Sequence, residues 1–203
     1  MVGNNTLNYT VTGNDMFGSP IVVKFCELDL FKLKEYACAL KAESPGVEHS
    51  NYGGWQSNNL VQCNNIHISE LIYKIQEGTN EMREIYRIKK GLRFGLQNMW
   101  ININKPHDFN IEHEHPGAMF SGVFYVKTQD KCGSITFVHP NRVIDIYFPP
   151  DSMEEITPNN ANTWTIPPED NKLILFASHM RHWVTPNESN EDRISIAFNV
   201  GFL

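Results

Sequence analysis

The chain has 203 residues, 41% of them hydrophobic and 20% charged, with a formal net charge of −6. That length and apolar content suit one globular domain with a full core. The acidic balance, without any basic run interleaved with aromatics, argues against a nucleic-acid partner, and no apolar run approaches the length of a membrane span.

Residues 1–15 are polar rather than signal-like, which implies a cytoplasmic protein. Cys26, Cys38, Cys63 and Cys132 are scattered and form no C-x-x-C pair. Thiols in that pattern are expected to be reduced and not to ligate metal. Residues 8–12 alternate weakly and frame either an edge strand or a loose arm. Ile21-Val22-Val23-Lys24-Phe25 reads as a short strand from its β-branched content. Asp29 then caps a helix expected over residues 30–42, with Leu30, Leu33, Ala37 and Leu40 as its apolar stripe. Ser44-Pro45-Gly46 ends it.

The glycine-rich stretch 50–58 has the composition of a loop that positions function; it equally suits a connection that tucks Trp55 into the core. Ser69 is expected to cap a second helix over residues 70–89, interrupted near Gly78. Leu71, Ile75, Met82, Ile85 and Ile88 form its apolar side.

From Arg93 the texture changes. Short apolar-alternating runs at 94–104, 110–115, 120–127, 134–138, 143–148, 163–166, 172–177, 183–186 and 194–201 are separated by Pro, Gly, Asn and Asp clusters. Many short strands at that spacing predict an antiparallel sandwich or barrel. The expected organisation is a single domain over 1–203: an arm, a strand and two supporting helices in 1–92, then a jelly-roll-like β core in 93–203.

Among eight histidines, His49, His67, His107 and His139 read as surface, packing or turn residues. His113 and His115 differ, because strand alternation puts both on one face and Glu112 and Glu114 on the other. Two such imidazoles either line a wet sheet surface or begin a transition-metal site. A third donor stands in Ser178-His179-Met180-Arg181-His182-Trp183-Val184, just after the apolar strand Leu173-Ile174-Leu175-Phe176-Ala177. His182 begins the next strand, whereas His179 sits in the turn. Further on, Arg193, Ser195 and Ala197 share one strand face, with Ile194, Ile196 and Phe198 on the other. An arginine on so apolar a strand needs a partner, either a structural carboxylate or one belonging to a ligand held in a bidentate fork.

His113-x-His115, a distal His182, and Arg193-x-Ser195 beginning eleven residues later resemble the iron(II)/2-oxoglutarate-dependent oxygenases. The chain is similar in particular to a group of these found in marine bacteria and phages. The likeness runs through Gly53-Gly54-Trp55-Gln56-Ser57, Trp100-Ile101-Asn102, His113-Glu114-His115-Pro116-Gly117, residues 121–126 and residues 193–199. It implies a double-stranded β-helix (cupin-like) core with two N-terminal helices packed on it. It also implies an iron(II), 2-oxoglutarate and dioxygen-dependent hydroxylase of a peptide side chain or small metabolite, in the host cytoplasm if phage-encoded.

On this resemblance His113, His115 and His182 are the metal ligands, and Arg193 and Ser195 hold the far carboxylate of 2-oxoglutarate. Asn102 and Tyr125 are expected neighbours of that co-substrate, and Trp55, Trp100 and Trp183 candidate walls of the substrate mouth. The chain departs from the pattern at His115, where the superfamily has a carboxylate; Glu114 enters only if a bulge turns it inward. Two other readings stay open: a cupin-like three-histidine metalloenzyme that does not use 2-oxoglutarate, and a non-catalytic jelly-roll binding protein.

Overall fold

The computed structural model describes residues 18–141 and 143–203. The alternating run at 8–12 lies outside them. The described chain forms eleven strands and three helices: β1 (Ile21–Phe25), α1 (Leu30–Glu43), β2 (Asn51–Tyr52), β3 (Trp55–Gln56), α2 (Ile66–Ile85), β4 (Phe94–Asn104), β5 (Phe109–His113), β6 (Phe120–Lys127), β7 (Ile135–Val138), α3 (Ile144–Tyr147), β8 (Thr163–Ile166), β9 (Lys172–Ala177), β10 (His182–Val184) and β11 (Arg193–Phe202). Among the described residues no helix is long and apolar enough to cross a membrane.

The strands make two antiparallel sheets. The larger has the order β1-β9-β6-β11-β4-β3 and the smaller β2-β5-β10-β7-β8. From β4 onward consecutive strands alternate between the sheets, except that β7 and β8 pair within the smaller one; this is the double-stranded β-helix, with β4, β6, β9 and β11 in one sheet and β5, β7, β8 and β10 in the other.

The strand periodicity explains how the larger sheet is buried on both faces. Leu173 and Leu175 of β9, Ile194, Ile196 and Phe198 of β11, and Ile101 and Ile103 of β4 face the helices and join Leu33, Ala37, Ile68, Leu71, Ile75 and Met82 in the main core. The intervening residues of the same strands point between the sheets, where Ile174 and Phe176 meet Tyr125, Ile135 and Phe137 in a smaller apolar cluster. A strand covered on both faces reads as an unbroken apolar run, as β9 does.

The α1 prediction matches within a residue, and the Asp29 side chain accepts from Lys32 N. The second helix begins one turn earlier than expected. Asn65, not Ser69, is the N-cap, its Oδ1 accepting from both His67 N and Ile68 N. Ser69 is inside the helix, donating back to Asn65 O. Nor does Gly78 interrupt the helix. It packs closely on β9, where an added Cβ would lie 2.7 Å from Leu175 Cδ1.

The strand expected at 143–148 is instead the single turn of α3. Asn141 Oδ1 accepts from Val143 N, and Phe148 N donates to Ile144 O. These local bonds give the run a helical alternative to strand pairing.

The Asn65 cap carries a stability prediction. Asn65→Ala should cost about 1 kcal/mol, whereas Ser69→Ala should stay within about 0.5 kcal/mol of the parent. Thermal denaturation measures both; equal losses at the two positions would contradict the capping geometry.

Candidate active site

The two sheets diverge enough at one end to leave a cavity between their inner faces. His113, His115, His182, Arg193, Ser195, Asn102 and Tyr125 all line it, together with Trp100 and Phe176. All seven residues singled out in the sequence as ligands or co-substrate contacts therefore meet in one place.

Three separate elements deliver the histidines. His113 ends β5, and His182 begins β10 directly opposite it in the ladder. His115 lies two residues past the end of β5, so strand alternation does not govern its direction. A turn at Pro116-Gly117 does: Ala118 N donates to His115 O, His115 N donates to Ser178 O, and Gly117 takes φ +88°. The ring centroids lie 4.4 Å (His113–His182), 5.0 Å (His113–His115) and 5.2 Å (His115–His182) apart. One nitrogen from each falls within 4.8 Å of the others. Glu114 is exposed and outside this group, and Glu112 is paired with Arg181 at 2.7 Å on the far side of the strand.

The protonation pattern suits ligation. His113 Nδ1 sits 2.7 Å from Ile111 O and His182 Nδ1 2.8 Å from Met180 O. A carbonyl only accepts, so both Nδ1 atoms carry the proton and both Nε2 lone pairs are free. Burial pushes the His182 imidazole down to about 3 and His115 to about 4, with the neighbouring imidazoles adding to the effect. His113 is lowered too, chiefly by burial and against its bond to Ile111 O. Neutral imidazoles need lose no proton to bind a cation. Phe137 and Phe176 pack on His182, with centroids 5.9 and 4.8 Å away, and Trp100 stands 6.1 Å from His115.

The other end of the cavity is built on three neighbouring strands. Ser195 of β11 is in register with Asn102 of β4 and Tyr125 of β6, and Arg193 with Asn104. Arg193 is 2% exposed. Its Nη1 donates to the backbone oxygens of Cys132 and Gly133, and its Nη2 to Asn104 Oδ1. Every one of those acceptors is neutral, and among the described residues Nε has no hydrogen-bond partner. Asn102 Oδ1 is likewise buried and unpaired. Burial works against the Arg193 charge, while Tyr125, Cys132 and Asp108 favour it; the Tyr125 phenol is pushed up to about 12 and so keeps its proton. A buried guanidinium with a free donor and no carboxylate is costly unless an anion completes it.

Sequence reasoning missed Asn104, although it stands two residues from Asn102 on the same strand face. It missed the carbonyls of Cys132 and Gly133 for a different reason, since backbone acceptors carry no residue signature. Gly133 has φ +88°, and an added Cβ would lie 2.8 Å from Arg193 Nη1. Trp55 and Trp183 do not line the cavity: Trp55 packs on the main core and donates its Nε1–H to Ser44 O. His107 and His179 are exposed turn residues, and His139 bonds within its own turn to Asn141.

The donor set fits a transition metal, and the unpaired Arg193 Nε fits a carboxylate-bearing ligand. Comparison with known proteins agrees. A family model described as "Putative 2OG-Fe(II) oxygenase" matches residues 98–199. Among solved structures, a prolyl-4-hydroxylase of Pseudomonas putida superposes with TM-score 0.64 at 13% identity, covering 90% of this chain and 93% of that one. The non-heme α-ketoglutarate-dependent epimerase SnoN of nogalamycin biosynthesis gives 0.65 at 14% identity, covering 90% and 76%. The viral collagen prolyl hydroxylase of Paramecium bursaria Chlorella virus-1, solved with 2-oxoglutarate, gives 0.59 at 11%, covering 89% and 94%. No curated protein matches the sequence significantly.

Isothermal titration with cobalt(II) tests the histidine cluster. Alanine at His113, His115 or His182 should each weaken binding at least about tenfold, that is by about 1.4 kcal/mol. His179→Ala, in the exposed turn, should leave it unchanged. Equal loss at His179 would disqualify the cluster as the metal site.

Proposed function

Because the chain belongs to the 2OG-Fe(II) oxygenase family, we propose that it hydroxylates a peptide side chain or a small metabolite, with His113, His115 and His182 holding iron(II) and Arg193 holding 2-oxoglutarate. The observation that carries this assignment is the pairing, in one cavity, of three convergent neutral imidazoles with a buried guanidinium that no carboxylate among the described residues satisfies. The similar structures include enzymes named for peptide substrates, the two prolyl hydroxylases, and one named for small-molecule biosynthesis. Both classes fit a cavity that opens to solvent.

When bound, iron(II) and 2-oxoglutarate together supply the oxidising chemistry, coupling dioxygen activation to decarboxylation of the co-substrate. The chain's own residues bind, orient and exclude water. Ile111 O and Met180 O lock two ligand imidazoles in the Nδ1-protonated tautomer, which keeps both Nε2 atoms aimed inward before any ion arrives. Arg193 is pinned by three fixed acceptors, so its unpaired Nε–H is held in one direction and loses little freedom on pairing with a carboxylate. The Ser195 hydroxyl and the Tyr125 phenol, neighbours across the β11–β6 ladder, are further donors for the same ligand. Phe137 and Phe176 shield His182 and keep that side of the centre dry.

The test is turnover by the full chain with iron(II), ascorbate and 2-oxoglutarate, read as succinate. Arg193→Lys keeps the charge but loses the fork, so the KM for 2-oxoglutarate should rise about tenfold or more, equivalent to about 1.4 kcal/mol. Gly133→Ala, which crowds Nη1, should shift it the same way. His67→Ala, on the surface of α2, should leave turnover unaltered. Failure of the iron-loaded protein to bind 2-oxoglutarate would overturn the proposal.

A further inference from the structure

The charge inventory of the cavity has a consequence for how its ligands bind. Among the described residues no Asp or Glu lines the cavity. Glu112 is engaged with Arg181, and Glu114 is exposed and outside the histidine group. Asp108, whose field reaches Arg193, accepts from Lys105 N rather than from the guanidinium. The three imidazoles ligate as neutral groups. A divalent ion among them therefore places two uncompensated charges beside a third, on Arg193, with Phe137, Phe176 and Trp100 packed around the ligand rings. Uncompensated charge in such surroundings is strongly disfavoured.

We infer that the chain binds its divalent metal tightly only together with a chelating dicarboxylate, the dianion supplying the charge that the protein's ligand set withholds. The metal and the dicarboxylate thus share one composite site, closed at one end by His113, His115 and His182 and at the other by Arg193. Each is a weak ligand alone, and each raises the affinity of the other. By linkage the two enhancements are the same factor. His115 controls its size, since a carboxylate there would neutralise part of the metal charge from within the chain.

This inference rests on the reading that the cavity takes 2-oxoglutarate, and its test separates the two. The full chain, stripped of metal by chelation, is titrated with manganese(II), with free ion followed by electron paramagnetic resonance, at zero and at saturating 2-oxoglutarate. The dissociation constant for manganese should fall at least tenfold with the co-substrate. His115→Asp should bind manganese at least tenfold more tightly than the parent without 2-oxoglutarate, and its coupling factor should shrink correspondingly; His115→Glu serves if the Asp variant does not fold. Glu114→Gln should change neither quantity. Equal manganese affinity of the unmodified chain with and without bound 2-oxoglutarate overturns the inference and leaves the proposed function standing. Weakened binding in Glu114→Gln does the same, by showing that the chain supplies its own charge. No binding of 2-oxoglutarate to the manganese-loaded chain overturns both.

Discussion

The guanidinium of Arg193 is the group on which the inner architecture depends. It stands at the start of the central strand β11, nearly inaccessible, and it is fixed by the oxygens of Cys132, Gly133 and Asn104. Two of those acceptors come from the loop between β6 and β7 and the third from the neighbouring strand β4, so one side chain ties that loop to the central strands. A buried cation without an anionic partner is costly to keep charged. Stability alone therefore does not account for its presence with a donor left unmet, whereas capture of an anion does.

That polar interior exists because the fold's apolar weight lies elsewhere. The main core sits between the helices and the outer face of the large sheet, where Leu71, Ile75 and Met82 meet Leu175, Ile196 and Phe198. The space between the sheets holds only the small cluster around Phe137, Ile174 and Phe176. A jelly roll stabilised solely by its inner faces would need them filled. Here the helix-covered outer face carries the burden, and the inner face is free to carry Asn102, Asn104, Ser195 and Arg193. The close contact of α2 with β9 at Gly78 is thus indirectly a condition for the cavity.

This division explains what could be read from the sequence. β9 and β11 are legible because burial leaves a continuous apolar run in one and strict alternation in the other; alternation also puts Arg193 and Ser195 on one face, whereas Asn102 and Tyr125 come from the family resemblance. The convergence of His113 with His182 is what the resemblance implies, and their pairing across the β5–β10 ladder provides it. Where local hydrogen bonds compete, pattern alone failed: Asn65 outcompetes Ser69 as a cap by taking two N–H groups, and Asn141 helps draw 143–148 into a helical turn. His115 is the instructive intermediate. Alternation assigned it to the cavity, and it is there, but a Pro-Gly turn rather than the strand directs it.

The turn that carries His115 would be a poor support if it were anchored only through His115 N. Beneath it, however, Ser178, whose oxygen accepts that N–H, is itself held. Its Oγ lies 2.8 Å from Ser121 Oγ, which donates to Asn199 Oδ1, and Asn199 Nδ2 donates to Asn98 Oδ1. This chain of buried polar groups crosses β6, β11 and β4, so the loop donor is referenced to the same three strands that position Asn102, Ser195 and Tyr125. Arg193 at one end and the Ser121–Asn199 pair at the other therefore share β11 as a common ruler, six residues apart along it. At the ~3.4 Å rise of an antiparallel strand that separation is about 20 Å. Both polar anchors are set by one strand, and the loops they hold supply the final approach to the cavity between them.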